Sequence, residues 1–249
     1  MLEYDGSAYQ GWQSQKTGCT IQDILTAVMG GITGEHVRLT GASRTDAGVH
    51  AFGQVAAFDT ASGLTADVLK RAMNANLPRD IRVLSADDVV HPFHPRFDAI
   101  RKRYIYILRL GCSETAFFSR YTWHVRSALN MDAMQEAALH LAGSHDFSSF
   151  RGAGCSSRSP LRTIYEIGIS VSDRLEFATV SLPGNYMKIA VEANAFLRHM
   201  VRNIVGTLVE VGRGRVPADA IPGILASRDR TIAGPTAPAA GLFLERVFY

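Results

Sequence analysis

Val37-Arg38-Leu39-Thr40-Gly41-Ala42-Ser43, followed by Arg44-Thr45-Asp46-Ala47-Gly48-Val49-His50-Ala51 and then Gln54-Val55-Ala56-Ala57-Phe58-Asp59, is the stretch whose reading decides the fold. The outer segments read as strands, and the octapeptide between them supplies a bend. Asp46 is thereby placed, with Arg44 two residues away, inside an apolar, strand-forming region. A carboxylate buried alone there would hold its proton to higher pH, whereas a nearby cation keeps it ionised. If the strand persists to Asp46, the two side chains share a face. The alternative is a turn over Asp46-Ala47-Gly48, with the aspartate capping its own backbone and the glycine at positive φ.

Five further segments accompany the octapeptide: Leu2-Glu3-Tyr4-Asp5-Gly6-Ser7 with Tyr9-Gln10-Gly11-Trp12-Gln13; Arg101-Lys102-Arg103-Tyr104-Ile105-Tyr106; His145-Asp146-Phe147-Ser148-Ser149-Phe150-Arg151; Phe196-Leu197-Arg198-His199-Met200-Val201-Arg202-Asn203-Ile204-Val205-Gly206; and Gly241-Leu242-Phe243-Leu244. In this order and over nearly the whole chain, the set resembles the A-type family of tRNA pseudouridine synthases. Each segment alone is a weak signal; the ordered set is a strong one.

Composition bounds the possibilities. The 249 residues are 47% hydrophobic and 20% charged, as in ordinary globular proteins. No apolar run is long enough to span a bilayer, and Met1-Leu2-Glu3-Tyr4-Asp5 lacks the regions of a signal peptide, so the expectation is a cytoplasmic protein with no membrane association. Cys19, Cys112 and Cys155 are dispersed and odd in number, which speaks against a disulfide framework or a clustered zinc site. Net charge is only +3, but of the 26 basic residues just Lys16, Lys70, Lys102 and Lys188 are lysines and the other 22 are arginines. A planar guanidinium suits phosphates and base edges; a coding bias toward arginine would leave the same composition.

Along the chain, Leu2-Glu3-Tyr4 reads as the tail of a strand, and residues 5–18 as a loop in which Tyr9 and Trp12 either stack on bases or pin the loop to the core. Thr20 caps a helix with Asp23 in its first turn and Ile21, Ile24, Leu25, Val28, Met29 and Ile32 on one face. A second helix is expected over residues 65–76 and a strand at 81–84. His91-Pro92-Phe93-His94-Pro95 is a proline-punctuated connector just before the boundary between residues 1–100 and 101–249. Beyond it come a strand at 103–109 with Tyr104, Tyr106 and Leu108 on one face, and a helix from Met131 to Ala142 capped by Asn130 and stopped by Gly143. A polar loop follows at 147–160, then strands at 163–171, 177–182 and 187–193, the last entered through a Pro183-Gly184-Asn185 turn. A long helix from Phe196 to about Val211 sets Arg198 and Arg202 one turn apart. The Pro- and Ala-rich loop from Gly234 to Ala240 leads to a last strand from Leu242 to Phe248. The expected fold is mixed α+β: two related sheet-plus-helix subdomains forming one continuous, mainly antiparallel sheet with a central cleft; the resemblance implies that this is the pseudouridine synthase fold.

No serine elbow, Walker loop, zinc signature or dinucleotide fingerprint occurs. If the protein is an enzyme, the expectation is that it works through a carboxylate and without a cofactor; the reaction the resemblance implies requires no metal. The resemblance implies isomerisation of uridine to pseudouridine at positions 38, 39 and 40 of the tRNA anticodon stem-loop, by a homodimer. It makes Asp46 the essential aspartate, acting as nucleophile or base, and Arg44 a contact to the RNA backbone or a support for the flipped nucleotide. It also makes Tyr104 the residue that stacks on the target base, and Arg202 the cation that keeps Asp46 charged. Arg101, Lys102, Arg103, Arg151, Arg158 and Arg198 are candidate RNA contacts. Competing readings are a catalytically silent RNA-binding module, a synthase for a different RNA, and a metal-dependent hydrolase using His91, His94 and His50.

Overall fold

Residues alternating in and out of a sheet, and apolar residues at helical spacing, together account for most of the elements in the computed structural model. It describes all residues but Thr17, Val90, His91, residues 112–114, Ala178 and Thr179. In chain order the elements are β1 (Leu2–Tyr4), α1 (Ile21–Thr33), β2 (Thr40–Gly41), β3 (His50–Gln54), β4 (Ala56–Ala57), α2 (Ala66–Asn76) and β5 (Ile81–Val83). Next come β6 (Arg101–Leu110), β7 (Trp123–Val125), α3 (Met131–Leu139), β8 (Gly143–Asp146), β9 (Leu161–Phe177) and β10 (Val180–Ala193). The last are α4 (Met200–Gly212), α5 (Ile221–Ser227) and β11 (Leu242–Phe248). The fold is mixed α+β with mostly antiparallel strand pairs.

Two compact units emerge: Met1–Lys102 with Phe243–Tyr249, and Arg103–Leu242. In the first, the strand order is β5-β1-β3-β11, antiparallel except for β3 with β11, where Phe243 faces His50 and Leu244 faces Ala51. Helix α1 begins where expected, because the Thr20 hydroxyl accepts the Asp23 N–H. Helix α2 is capped the same way by Thr65; it lies against α1 and β5, and its Leu69 and Met73 are buried. The expected strand at 37–43 shortens to β2, which pairs with β4. Residues 44–46 lie outside any strand, so the alternation that would set Arg44 and Asp46 on one face does not apply.

In the second unit the order is β6-β10-β9-β8, with β7 parallel to the end of β6. The three strands expected over 163–193 are two long ones paired antiparallel, Val180 opposite Phe177 and Ala193 opposite Ile164. Pro183-Gly184-Asn185 is a register shift within β10 and not a turn between strands. A proline has no N–H to give the ladder, so the irregularity sits where a ladder bond is missing anyway. Helix α3 stops at Leu139, because i→i−3 bonds from Leu141 to Ala138 and from Ala142 to Leu139 tighten its last turn ahead of β8. Helix α4, buried along nearly its whole length, starts at Met200 and not at Phe196. The preceding residues form a turn in which Met200 N–H bonds the Leu197 carbonyl and His199 takes φ 61°. Arg198 is therefore off the helix.

Candidate active site

The octapeptide forms a turn, and the amino-terminal loop clamps it. Val49 N–H reaches the Asp46 carbonyl at 3.1 Å, with Gly48 at φ 76°, a conformation glycine adopts without strain. With no ladder available, the loop's backbone groups find partners upstream: Trp12 N–H donates to Thr45 O (3.0 Å) and Gly48 N–H to Tyr9 O (3.3 Å). The approach is close enough that a Cβ on Gly11 would stand 2.5 Å from Thr45 O and 2.9 Å from the Asp46 carbonyl carbon. Trp12 is 1% exposed, so it pins this loop to the core. Tyr9 is half-buried and donates its hydroxyl to Asp80 at 2.5 Å; burial and that carboxylate push its pKa up.

Beneath the clamp lies a group of buried polar side chains. The Tyr4 hydroxyl is 2.8 Å from Thr45 Oγ1, and Gln54 Nε2 donates to Ser43 O at 2.7 Å and to the Tyr4 hydroxyl at 3.4 Å. Gln54 Oε1 accepts Ser43 N–H at 3.2 Å. Burial pushes the Tyr4 phenol up to about 12. His50 Nδ1 lies 3.1 Å from both Gly6 N–H and the Asp5 carboxylate, its ring stacked on Phe243. Lys102, expected as an RNA contact, is buried and donates its ammonium to Ala42 O at 2.6 Å, at the root of the loop. Asp46 itself is half-buried, and Arg44 beside it is exposed. Arg101 is exposed and lies over the Phe248 ring.

In the second unit, Tyr104 is buried on β6 with its ring edge-on to Phe196, centroids 5.1 Å apart. Arg202, in the first turn of α4, donates Nε–H to the Ala237 carbonyl at 2.7 Å, and its own carbonyl accepts Ala237 N–H at 3.1 Å. The loop supplying Ala237 is held in turn by the Tyr106 hydroxyl on Pro238 O, the Thr207 hydroxyl on Gly234 N–H, and Thr236 on Asn203. Gly206 lets that loop approach, since a Cβ there would overlap the Pro235 carbonyl. Arg103 is half-buried between Glu166 (3.6 Å) and Glu192 (3.8 Å). Three arginines brace the 151–162 loop. Arg151 donates to the Cys155 and Ser157 carbonyls, Arg162 to Ser159 O and the Ser157 hydroxyl, and Arg198 to Ala153 O. Arg158, on the same loop, is exposed.

Sequence reasoning passed over Tyr4, Thr45, Gln54 and the 234–238 loop as parts of the site. The available signal was Gln54, an amide at the end of a strand-forming stretch, fully buried in the structure. Among the described residues no cluster of three His, Cys, Asp or Glu could hold a metal ion. His91 and Cys112 lie outside them, and His94 Nδ1 accepts Arg96 N–H within its own turn. Among the described residues no helix is long and apolar enough to cross a membrane.

Comparison with known proteins places this geometry in context. Residues 1–98 and 137–249 match the tRNA pseudouridine synthase family. Proteins named tRNA pseudouridine synthase A are similar over essentially full length. The one from a Thermoanaerobacter species is 44% identical over 249 residues, covering 100% of this chain and 98% of its own. That of Geobacter sulfurreducens is 43% identical over 247 residues, 99% and 97% of the two chains. That of Thermodesulfovibrio yellowstonii is 38% identical over 248 residues, 100% and 97%.

Proposed function

Because this chain belongs to the tRNA pseudouridine synthase family, we propose that it isomerises uridine to pseudouridine at positions 38, 39 and 40 of the tRNA anticodon stem-loop. The observation that carries the reading is the Asp46 turn: a carboxylate on a loop whose neighbours are clamped on both sides, within the matched span. In the reaction the bond from the ribose carbon to N1 breaks, the base turns over, and C5 bonds to the same carbon. C5 then loses its proton while N1 regains one. Every other atom is retained, so the balance calls for no oxidant, reductant or cosubstrate.

Asp46 supplies the ionised carboxylate, as nucleophile or as base. Tyr104 stacks on the extruded base, an interaction worth about 1–3 kcal/mol against the few kcal/mol that unstacking costs. Arg202, its guanidinium oriented by the Ala237 carbonyl, is the helix cation of the proposed site. Arg44 and Arg158, both exposed, meet phosphates, which makes affinity salt-dependent. Arg101 adds to them, while Arg103, Arg151 and Arg198 shape the surface they sit on. The enzyme works as a homodimer in the cytoplasm.

The test is incubation with unmodified tRNA transcripts, no metal or cofactor added, followed by mapping of pseudouridine along the product. Pseudouridine at 38–40 is expected. Bound tRNA without product would make this a silent RNA-binding module, and product elsewhere would make it a synthase for another site.

A further inference from the structure

Residues 43–46 carry the proposed catalytic carboxylate without the support of a sheet ladder, yet two of the three residues before Asp46 are held by buried side chains. Gln54, 0% exposed at the end of β3, pairs with both backbone groups of Ser43. It thereby supplies through one amide what a neighbouring strand would supply. The second proton of that amide reaches the Tyr4 hydroxyl at 3.4 Å, and the phenol shares a hydrogen bond with Thr45 Oγ1 at 2.8 Å. Tyr4 is 4% exposed and Thr45 6%. The chain therefore links Gln54 through Tyr4 to the residue that precedes Asp46, while Arg44, between the two anchored positions, is exposed.

We propose that Tyr4, Thr45 and Gln54 are positioning residues for Asp46: their hydrogen-bonded chain sets where the carboxylate stands relative to the nucleotide. The proposal rests on the reading of Asp46 as the catalytic group. Buried hydroxyls and amides are costly unless fully paired, and apolar side chains of similar shape would fill the same space. What the polar chain adds is a fixed geometry for a loop that no ladder fixes. A misplacement of about 1 Å in such a group costs on the order of 100-fold in rate.

The experiment is single-turnover pseudouridine formation at saturating enzyme, where the first-order constant does not depend on the folded fraction, alongside tRNA binding. Tyr4→Phe and Thr45→Val, which remove one hydroxyl each at nearly constant shape, are each expected to slow the step about 10- to 100-fold with tRNA affinity unchanged. Thr45→Ser, which restores the hydroxyl, is expected to restore the rate. The Tyr4→Phe/Thr45→Val double variant should be no slower than the slower single one, because both cut the same chain. Thr122→Val removes a buried hydroxyl bonded to Phe118 O in the other unit and reports what lost stability alone does to the constant. Wild-type constants for Tyr4→Phe and Thr45→Val, or losses no larger than that of Thr122→Val, overturn the proposal. If only one variant folds, its constant decides. Asp46→Asn is measured in parallel: full activity there overturns the catalytic reading itself, whereas an inactive Asp46→Asn beside fully active Tyr4→Phe and Thr45→Val removes only the positioning role.

Discussion

Glycine to alanine in the interior of a helix normally stabilises by about 0.8–1.0 kcal/mol, and in this protein the same substitution is expected to have opposite signs in α1 and α4. At Gly31 of α1 the side chain position is exposed and an added Cβ meets nothing within 4 Å, so the propensity gain stands alone. At Gly206 of α4 the new methyl would overlap the Pro235 carbonyl oxygen and sit 2.8 Å from its carbon. Both are backbone atoms, so no side-chain rotation relieves the contact. Forcing a methyl into a packed position costs about 1–3 kcal/mol. Pushing the 234–238 loop outward also loosens the paired bonds between Arg202 and Ala237, at about 1 kcal/mol each. After subtracting the propensity gain, Gly206→Ala should destabilise by about 2–4 kcal/mol, and Gly31→Ala should stabilise by up to about 1 kcal/mol. Urea unfolding followed by circular dichroism, compared through midpoints at constant slope, measures both. A Gly206→Ala midpoint at or above wild type would refute the close approach of that loop, and with it the account of how Arg202 is oriented.

Gly11→Ala combines a left-handed φ of 88° with a Cβ 2.5 Å from Thr45 O, so it should lower stability by about 2–4 kcal/mol and slow turnover, read from urea midpoints and single-turnover rates. Burial lifts the Tyr4 phenol from 10.0 to about 12, so the folded state keeps a proton that the unfolded chain gives up. The resulting stability is complete below about pH 10 and is lost as pH rises toward 12, about 3 kcal/mol in all; urea midpoints between pH 8 and 11.5 should fall less steeply in Tyr4→Phe than in wild type. Arg158→Ala removes an exposed cation and should reduce the salt dependence of tRNA binding by about one unit in the log–log slope with no change in midpoint. Arg151→Ala, which releases the Cys155 and Ser157 carbonyls, should lower the midpoint as well.

Elements were legible in the sequence where a local signal and the tertiary structure agreed. Thr20 and Asn130 cap the helices they were expected to cap, and β11 covers the span expected of it. The signals failed where long-range pairing decides. Pro183-Gly184-Asn185 has turn chemistry, but the pairing on both sides of it belongs to one strand, and the ladder absorbs the defect as a register shift. Phe196 to His199 continue the apolar spacing of α4, yet Gly152 N–H captures the Arg198 carbonyl and His199 turns left-handed, which starts the helix late. For the site, Asp46 was singled out from the resemblance of its motif, and the turn was readable from Gly48. The buried support was not, because neither Tyr4 nor Gln54 is near Asp46 in sequence, and only the β1–β3 pairing brings both beneath the loop. Lys102 shows the converse: a basic run reads as surface, while its side chain is spent on Ala42 O.

The most direct measurement is pseudouridine in tRNA after incubation with Asp46→Asn, paired with its affinity for the same tRNA. The substitution preserves the size of the side chain and removes its charge. Binding close to wild type is expected, with no pseudouridine at positions 38–40 even at saturating enzyme and long times. Product formed at the wild-type rate would contradict the reading of Asp46 as the catalytic group.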